Sequence, residues 1–411
     1  MKILLIAPQV PWPPRQGTAL RNYNVALQLA RRHEVTVLAF GRPAPDDPLM
    51  EAGVRVVSVP APPPRSTGRR LLDLATRPTP DLARRLGSRA MDRALAEEIS
   101  AQRSRGGPDV IQVEGLEMAP YALEARRQVR QTDHRLVYDA HNAEWLLQAR
   151  AWRADIGLPS RWHAAAYSLV QTLKLRRFER RLLSRCDAAV AVSRADADCL
   201  RRLQPGCPLE VVPNGVDTDH YAPADPAASE PGLCVFTGKM DFRPNIDAMV
   251  WFVGTVWPIV RRCRSNARLL IVGRDPVARV AALAGDGVAL TGAVDDVRDY
   301  LAHAAVVVAP LRVGGGTRLK VLEAMAMERA VAATRLAVEG LDLAPGAEVL
   351  LGDAPEGLAG HVLDLLVRRQ TLRSGAEPAR TPRTRRSVAD RLSGRGQTAG
   401  PPRDGAQTAG A

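Results

Sequence analysis

Short apolar runs recur along the chain, separated by longer stretches in which apolar residues return every three or four positions. The first run, Lys2–Ala7 (KILLIA), reads as a buried strand. A proline-rich loop, Pro8–Gly17, leads into helical spacing over Thr18–Arg32, and Glu34–Phe40 is the next strand. Val54–Val59, Val110–Val113, Leu136–Ala140 and Ala188–Val192 continue the series. Helical stretches near Leu86–Gln102, Leu116–Gln131 and Tyr167–Ser184 lie between most of them. Ser193-Arg-Ala-Asp196 has the form of a capping-box helix start, with Asp in place of Glu. Pro213-Asn-Gly215 and the Pro/Ala-rich Pro223–Pro231 then interrupt the pattern as a linker does.

A second alternation begins at Leu233. It predicts strands at Cys234–Thr237, Arg268–Val272, Val288–Leu290, Val306–Ala309 and Ala330–Thr334. The helices between and after them are Asn245–Arg262, Pro276–Leu283, Asp295–His303, the one opening near Thr317, and Pro355–Val367. Alternation of this kind implies parallel sheets with helices on both faces. The expected fold is therefore α/β, with two doubly wound Rossmann-like domains facing each other across a cleft. The boundaries are 1–205 for the first domain, 206–232 for the linker and 233–367 for the second domain. An Arg/Pro/Gly-rich tail over 368–411 has almost no apolar residues and is expected to be disordered.

Leu311–Glu328 (LRVGGGTRLKVLEAMAME) is the most informative stretch. Gly314, Gly315 and Gly316 follow a buried strand and allow a ligand to approach the backbone closely. Thr317 is placed to cap the helix in which Leu319, Leu322, Ala326 and Met327 recur. A helix N-terminus there presents unpaired N–H groups to an anion such as phosphate. Arg318 and Lys320 oppose the helix dipole, which a bound anion would explain. The plainer reading is a flexible loop that starts a helix.

Composition narrows the function classes. The chain has 411 residues, 46% hydrophobic and 25% charged, enough for two cores. No apolar run reaches the ~18 residues of a membrane span, and the prolines from Pro8 onward do not resemble a signal peptide. A cytoplasmic location is expected. Five scattered cysteines without a CxxC pair give neither a disulfide framework nor a zinc site. Of the net charge of +13, the ten arginines and three acids from Arg368 onward supply +7. The body is only moderately basic, which suits anionic substrates or an anionic membrane surface and not a nucleic-acid partner.

Candidate chemistry gathers at strand ends, where parallel sheets bind ligands: Gly17, His141 and Asn142, Gly238 and Lys239, Gly273 and Arg274, and the glycine loop. No P-loop is present, nor a GxGxxG with its distant acid, so nucleotide hydrolysis and NAD chemistry lose support. Asp217-Thr-Asp219 spells a metal-binding DxD, but it follows a Pro-Asn-Gly turn and reads better as linker polarity. Leu173–Arg185 sets cations beside an apolar stripe. It fits either a core-packed helix with a solvated basic face or contact with an anionic membrane.

These residues resemble the GT-B glycosyltransferases of family 4 (glycosyl transferase group 1), close to sugar transferases associated with exopolysaccharide and exosortase gene sets. The resemblance covers Met1–Leu366. It rests on PPRQGTALR (Pro13–Arg21), YDAHNAEW (Tyr138–Trp145), VVPNGVD (Val211–Asp217), FTGKMDFRPNIDA (Phe236–Ala248), GGGTRLKVLEAMA (Gly314–Ala326) and VEGL (Val338–Leu341). It implies an N-terminal acceptor domain and a C-terminal domain that binds a UDP- or GDP-linked sugar. Transfer to a lipid-linked or saccharide acceptor would retain configuration, with no metal or other cofactor. With the basic stretch Leu173–Arg185, peripheral contact with the inner face of the plasma membrane is an added expectation.

The resemblance gives catalytic roles to His141, Lys239 and Glu323, with Glu323 on the ribose hydroxyls and His141 near the donor sugar. Gly17 matches the family glycine that approaches the diphosphate or the acceptor. Gly238 and the loop residues Gly314, Gly315, Gly316 and Thr317 are further candidate donor contacts, and Arg318 and Lys320, with Arg243 or Arg274 beside them, would supply charge for the diphosphate. In two places the chain departs from the family pattern. Gly315 stands where the first acid of the paired-glutamate motif is expected, and Asn245 where the second diphosphate-binding cation is expected. A nucleotide-sugar epimerase of the same architecture and a catalytically impaired nucleotide-sugar-binding protein are the alternatives.

Overall fold

The structure, a computed structural model, describes residues 1–14, 16–103, 107–128, 134–157, 159–315, 318–341 and 343–373. Seven strands form the first sheet: β1 (Lys2–Ala7), β2 (Glu34–Phe40), β3 (Arg55–Val59), β4 (Val110–Glu114), β5 (Arg135–Ala140), β6 (Ala188–Ala191) and β7 (Leu209–Val211). Their order is β3-β2-β1-β4-β5-β6-β7, every pair parallel. Six more strands form the second sheet: β8 (Leu233–Thr237), β9 (Arg268–Val272), β10 (Val288–Gly292), β11 (Val306–Ala309), β12 (Val331–Ala333) and β13 (Leu350–Leu351). The order here is β10-β9-β8-β11-β12-β13, again parallel throughout.

The side-chain period of two explains why the apolar runs are continuous. In β1, Leu4 and Ile6 enter one core while Ile3 and Leu5 enter another on the opposite face, so no position is left for a polar residue. The second sheet buries Val235, Phe236, Val307 and Val308 with Trp257 and Leu358 from covering helices. In each sheet the winding reverses once, between β1 and β4 and between β8 and β11. Beyond the carboxyl ends of those strands lies the crevice in which such folds bind ligands.

Several elements differ from the sequence pattern. Three helices are not marked by the pattern, the short Pro48–Glu51 and the longer Thr67–Thr76 and Glu144–Ile156. The expected 206–232 linker begins with β7, which pairs with β6, so the crossing chain starts at Val212. The helix expected over Asn245–Arg262 is Arg243–Trp251 and Trp257–Cys263, joined by a π turn at Phe252–Val256. Pro258 supplies no N–H to the preceding turn, which accounts for the break. The last helix, Pro355–Arg373, runs past the expected start of the tail at 368; residues 374–411 lie outside the described residues. Among the described residues, no helix is long and apolar enough to cross a membrane.

Candidate active site

The donor-side residues converge at the β8/β11 reversal. Gly238 leaves β8 against Gly273, which leaves β9. A Cβ on Gly273 would stand 1.7 Å from the Gly238 carbonyl oxygen, so the two loops can touch only as glycine. Gly273→Ala is expected to part these loops at a cost of about 1–3 kcal/mol. The check is denaturant unfolding run beside nucleotide binding, and a variant as stable and as well bound as wild type contradicts this packing.

From the facing helix, Leu319–Ala326, Lys320 turns its ammonium toward Gly238. Its Nζ donates to Asn245 Oδ1 at 2.9 Å and lies 3.9 Å from the centroid of the Phe236 ring. Asn245 in turn donates from Nδ2 to the Lys239 carbonyl at 2.8 Å. Burial presses the Lys320 amine down to about 7, with Arg318 adding to the shift and Glu323 opposing it. One turn further on, Glu323 is raised by burial against the pull of Lys320 and of the Tyr221 hydroxyl, its hydrogen-bonding neighbour from the interdomain crossing. The Tyr221 hydroxyl is raised by its own burial and by that carboxylate.

The other expected donor residues are placed differently. Lys239 directs its ammonium to Asp241 (2.8 Å) and Asp275 (3.7 Å), while Arg274 lies 3.8 Å from Asp275. Both therefore stand at the rim, apart from the Lys320 contacts. Arg318 turns the other way: its Nη2 lies 3.0 Å from where a Gly314 Cβ would be. Burial lowers it to about 10 beside Glu339 and Arg150. The N-cap of the helix is Arg318 without a side-chain cap; Gly316 and Thr317, the expected cap, lie outside the described residues.

The first domain meets this loop through Glu144–Ile156. Arg150 forks onto Glu339 with two bonds of 2.6 Å and donates to the Gly314 carbonyl at 3.1 Å. Leu147 fills the space beside Gly315, where a Cβ would come within 2.2 Å of its Cδ2. An acid at this position would need Leu147 to move. Arg243 bonds the buried Asp155 at 2.6 Å, and Gly17 faces Leu319 across the cleft, 3.2 Å from Cβ position to Cδ1. Across the cleft, therefore, the start of Arg243–Trp251 meets the end of Glu144–Ile156, and the starts of the helices Gly17–Ala30 and Leu319–Ala326 face each other.

His141, after β5, belongs to a separate buried cluster. Its Nε2 lies 3.1 Å from Glu114 Oε2 at the end of β4. Glu114 also accepts from Gln112 Nε2 (2.7 Å) and from the Asn22 amide (3.0 Å). Burial lowers the His141 pKa, but the Glu114 bond and the charges of Glu114, Asp139 and Glu117 outweigh it and the net direction is upward. Burial and Glu114 push Asp139 up to about 6, although Arg21 grips it with a bidentate pair. Arg21 also donates to Asn214 Oδ1 (2.8 Å) and the Val212 carbonyl (3.1 Å), which fastens the Pro-Asn-Gly turn to β5.

Glu114, Asp139 and His141 have ligand atoms within 4.8 Å of one another, the spacing a metal site requires. The donor set does not fit a cation, because the Arg21 guanidinium already neutralises Asp139 and Glu114 spends its oxygens on three neighbours. Asp217 of the DxD pattern is a turn cap, accepting from the N–H groups of Asp219 and His220. Sequence reasoning did not mark Glu114, Arg21, Tyr221, Arg150 or Leu147. Only Glu114 had a signal, an acid ending an apolar strand at the crevice.

The description glycosyltransferase family 4 matches residues 15–220, and glycosyl transferases group 1 matches 231–368. The chain belongs to the family 4 glycosyltransferases. Sucrose-phosphate synthase of Thermosynechococcus elongatus superposes with a TM-score of 0.64 at 17% identity, covering 90% of each chain. HepE of Anabaena, solved with UDP and glucose, gives 0.57 at 13% identity, covering 96% of this chain and 100% of its own. Trehalose-6-phosphate from E. coli, bound with UDP-2-fluoro glucose, gives 0.57 at 12%, covering 96% and 93%. At these identities the likeness concerns the fold, which is GT-B. Comparison with curated proteins gives no match.

Proposed function

We propose that this glycosyltransferase moves a hexose-type sugar from a UDP- or GDP-linked donor to a lipid-linked or saccharide acceptor in exopolysaccharide assembly. Configuration is retained, and neither metal nor other cofactor takes part. The observation that carries the reading is the meeting of Gly238, Lys320 and Glu323 at the β8/β11 reversal, opposite Gly17. In this reading the chain through β7 is the acceptor domain and the chain from β8 onward the donor domain. The neighbours solved with UDP and with a UDP-sugar analogue support a nucleotide-sugar donor.

Each residue has a chemical task in this scheme. The departing diphosphate gains negative charge, and Lys320 with the backbone N–H groups of the glycine loop stabilises it; preorganised donors of this kind lower such barriers. Lys239 and Arg274 at the rim add positive potential. Glu323 accepts from the two vicinal ribose hydroxyls, a natural use of a carboxylate. His141, held by Glu114, hydrogen-bonds the donor sugar. Glu114 and Asp139, the two carboxylates clustered with His141, are buried and engaged by neighbouring side chains, so neither is a free nucleophile for a covalent intermediate. Retention then follows from acceptor attack on the face the diphosphate leaves. Transfer assays with UDP- and GDP-sugars, and proton NMR of the product anomer, test the reading; an inverted product refutes it.

Peripheral membrane contact is part of the proposal. The helices Thr67–Thr76 and Trp162–Leu183 lie side by side, with Lys174 Nζ bonded to the Arg77 carbonyl at 2.7 Å. Leu175 and Leu182 enter the core, while Leu71, Leu72, Val170 and Leu173 stay exposed near Arg69, Arg70 and Arg177. Apolar groups flanked by cations suit an anionic bilayer. Leu72→Glu with Leu173→Glu is expected to lower binding to phosphatidylglycerol vesicles at least tenfold and to leave nucleotide affinity unchanged. Equal flotation of variant and wild type contradicts the membrane face.

A further inference from the structure

We propose that Lys320 enters from its own helix to occupy the ground that Asn245 leaves without a cation, and that donor binding there takes up one proton onto the Lys320 amine. The inference deepens the donor-site reading above and rests on it. Asn245 stands on the helix Arg243–Trp251, and its amide nitrogen holds the Lys239 carbonyl. That leaves its oxygen to receive the Lys320 ammonium at 2.9 Å. The Phe236 ring closes a second side of the amine, and the Cβ-free edge of Gly238 opens a third, toward the crevice.

Among the described residues, no carboxylate forms an ion pair with Lys320. The charged groups that face it are Glu323, which favours the ammonium, and Arg318, which opposes it; Lys239 gives this pocket only its carbonyl. Burial dominates, and the amine titrates at about 7. Near neutral pH a fraction of the free protein therefore carries an uncharged Lys320. A nucleotide sugar's diphosphate diester keeps its charge throughout this range, and placing it beside the amine favours the ammonium. The sign follows: the free protein must bind a proton to accept the donor, so affinity is full below pH 7 and falls as pH rises above it.

The test uses the full chain and whichever of UDP-glucose, GDP-mannose and ADP-glucose binds most tightly. Titration calorimetry between pH 6.5 and 8.5, in buffers of different ionisation heat, reads affinity and proton uptake together. For wild type, Kd is expected to rise about 15-fold between pH 7 and 8.5, with net proton uptake. Lys320→Arg stays charged, so its Kd should vary less than about twofold with no uptake. Lys320→Met should bind at least tenfold more weakly at pH 6.5 and lose the pH dependence. A flat wild-type profile without uptake overturns the inference and leaves the donor site standing. Failure to bind any of the three at every pH overturns both.

Discussion

Glu323→Ala is expected to raise the Kd of the bound nucleotide sugar roughly 30- to 150-fold, or about 2–3 kcal/mol. In the proposed donor site the carboxylate accepts from the ribose hydroxyls, and burial beside Lys320 and Tyr221 makes its hydrogen bonds count for more than they do in water. Fold stability should change little, because removing a half-hidden acid whose pKa is already raised relieves a desolvation cost. Tyr221→Phe serves as the comparison: it removes the neighbour of Glu323 and leaves the ribose acceptor, so its effect on Kd should be several-fold at most. Calorimetry on both variants decides the matter, and unchanged binding and turnover in Glu323→Ala refutes the ribose role.

The largest effect on stability is expected at Arg21. Arg21→Met leaves Asp139 buried, without its bidentate partner and beside Glu114, and frees Asn214 from the turn that enters the crossing segment. Breaking a buried pair from one side costs about 3–5 kcal/mol. The double variant Arg21→Met/Asp139→Leu should recover most of that loss, since the uncompensated charge dominates it. Equilibrium denaturation of the single and double variants measures both. A single variant within about 1 kcal/mol of wild type contradicts the account of this cluster.

The strands around the two reversals could be read from the sequence because a strand buried on both faces carries a continuous apolar run, as Ile3–Ala7 of β1, Leu233–Phe236 of β8 and all of β11 do. The glycine loop was equally plain, since three consecutive glycines after a buried strand are a local signal. What escaped was non-local or short. β7 and β13 have three and two residues, too few to show a period. Glu144–Ile156 was missed because its working face holds Arg150 and Asp155, polar residues whose partners belong to the other domain. Lys320 was marked as a cation near the phosphate, yet its partner Asn245 stands 75 residues away. In the proposed donor site Lys320 stands where Asn245 offers no cation. Lys239 and Arg318 had the right charge for the diphosphate, and only the fold turns them toward Asp241 and Glu339.

The gap at Gly315 has a similar physical reason. Leu147 takes the room a side chain there would use, so the interdomain contact and the absence of the acid form one arrangement.

The most direct test of the donor site is a crystal structure of the full chain with the tighter-binding of UDP and GDP. The diphosphate is predicted between Gly238 and the Lys320 ammonium, against the glycine loop, with both ribose hydroxyls on Glu323. A nucleotide seated at the β1/β4 reversal of the first domain, or with its ribose away from Glu323, contradicts the account.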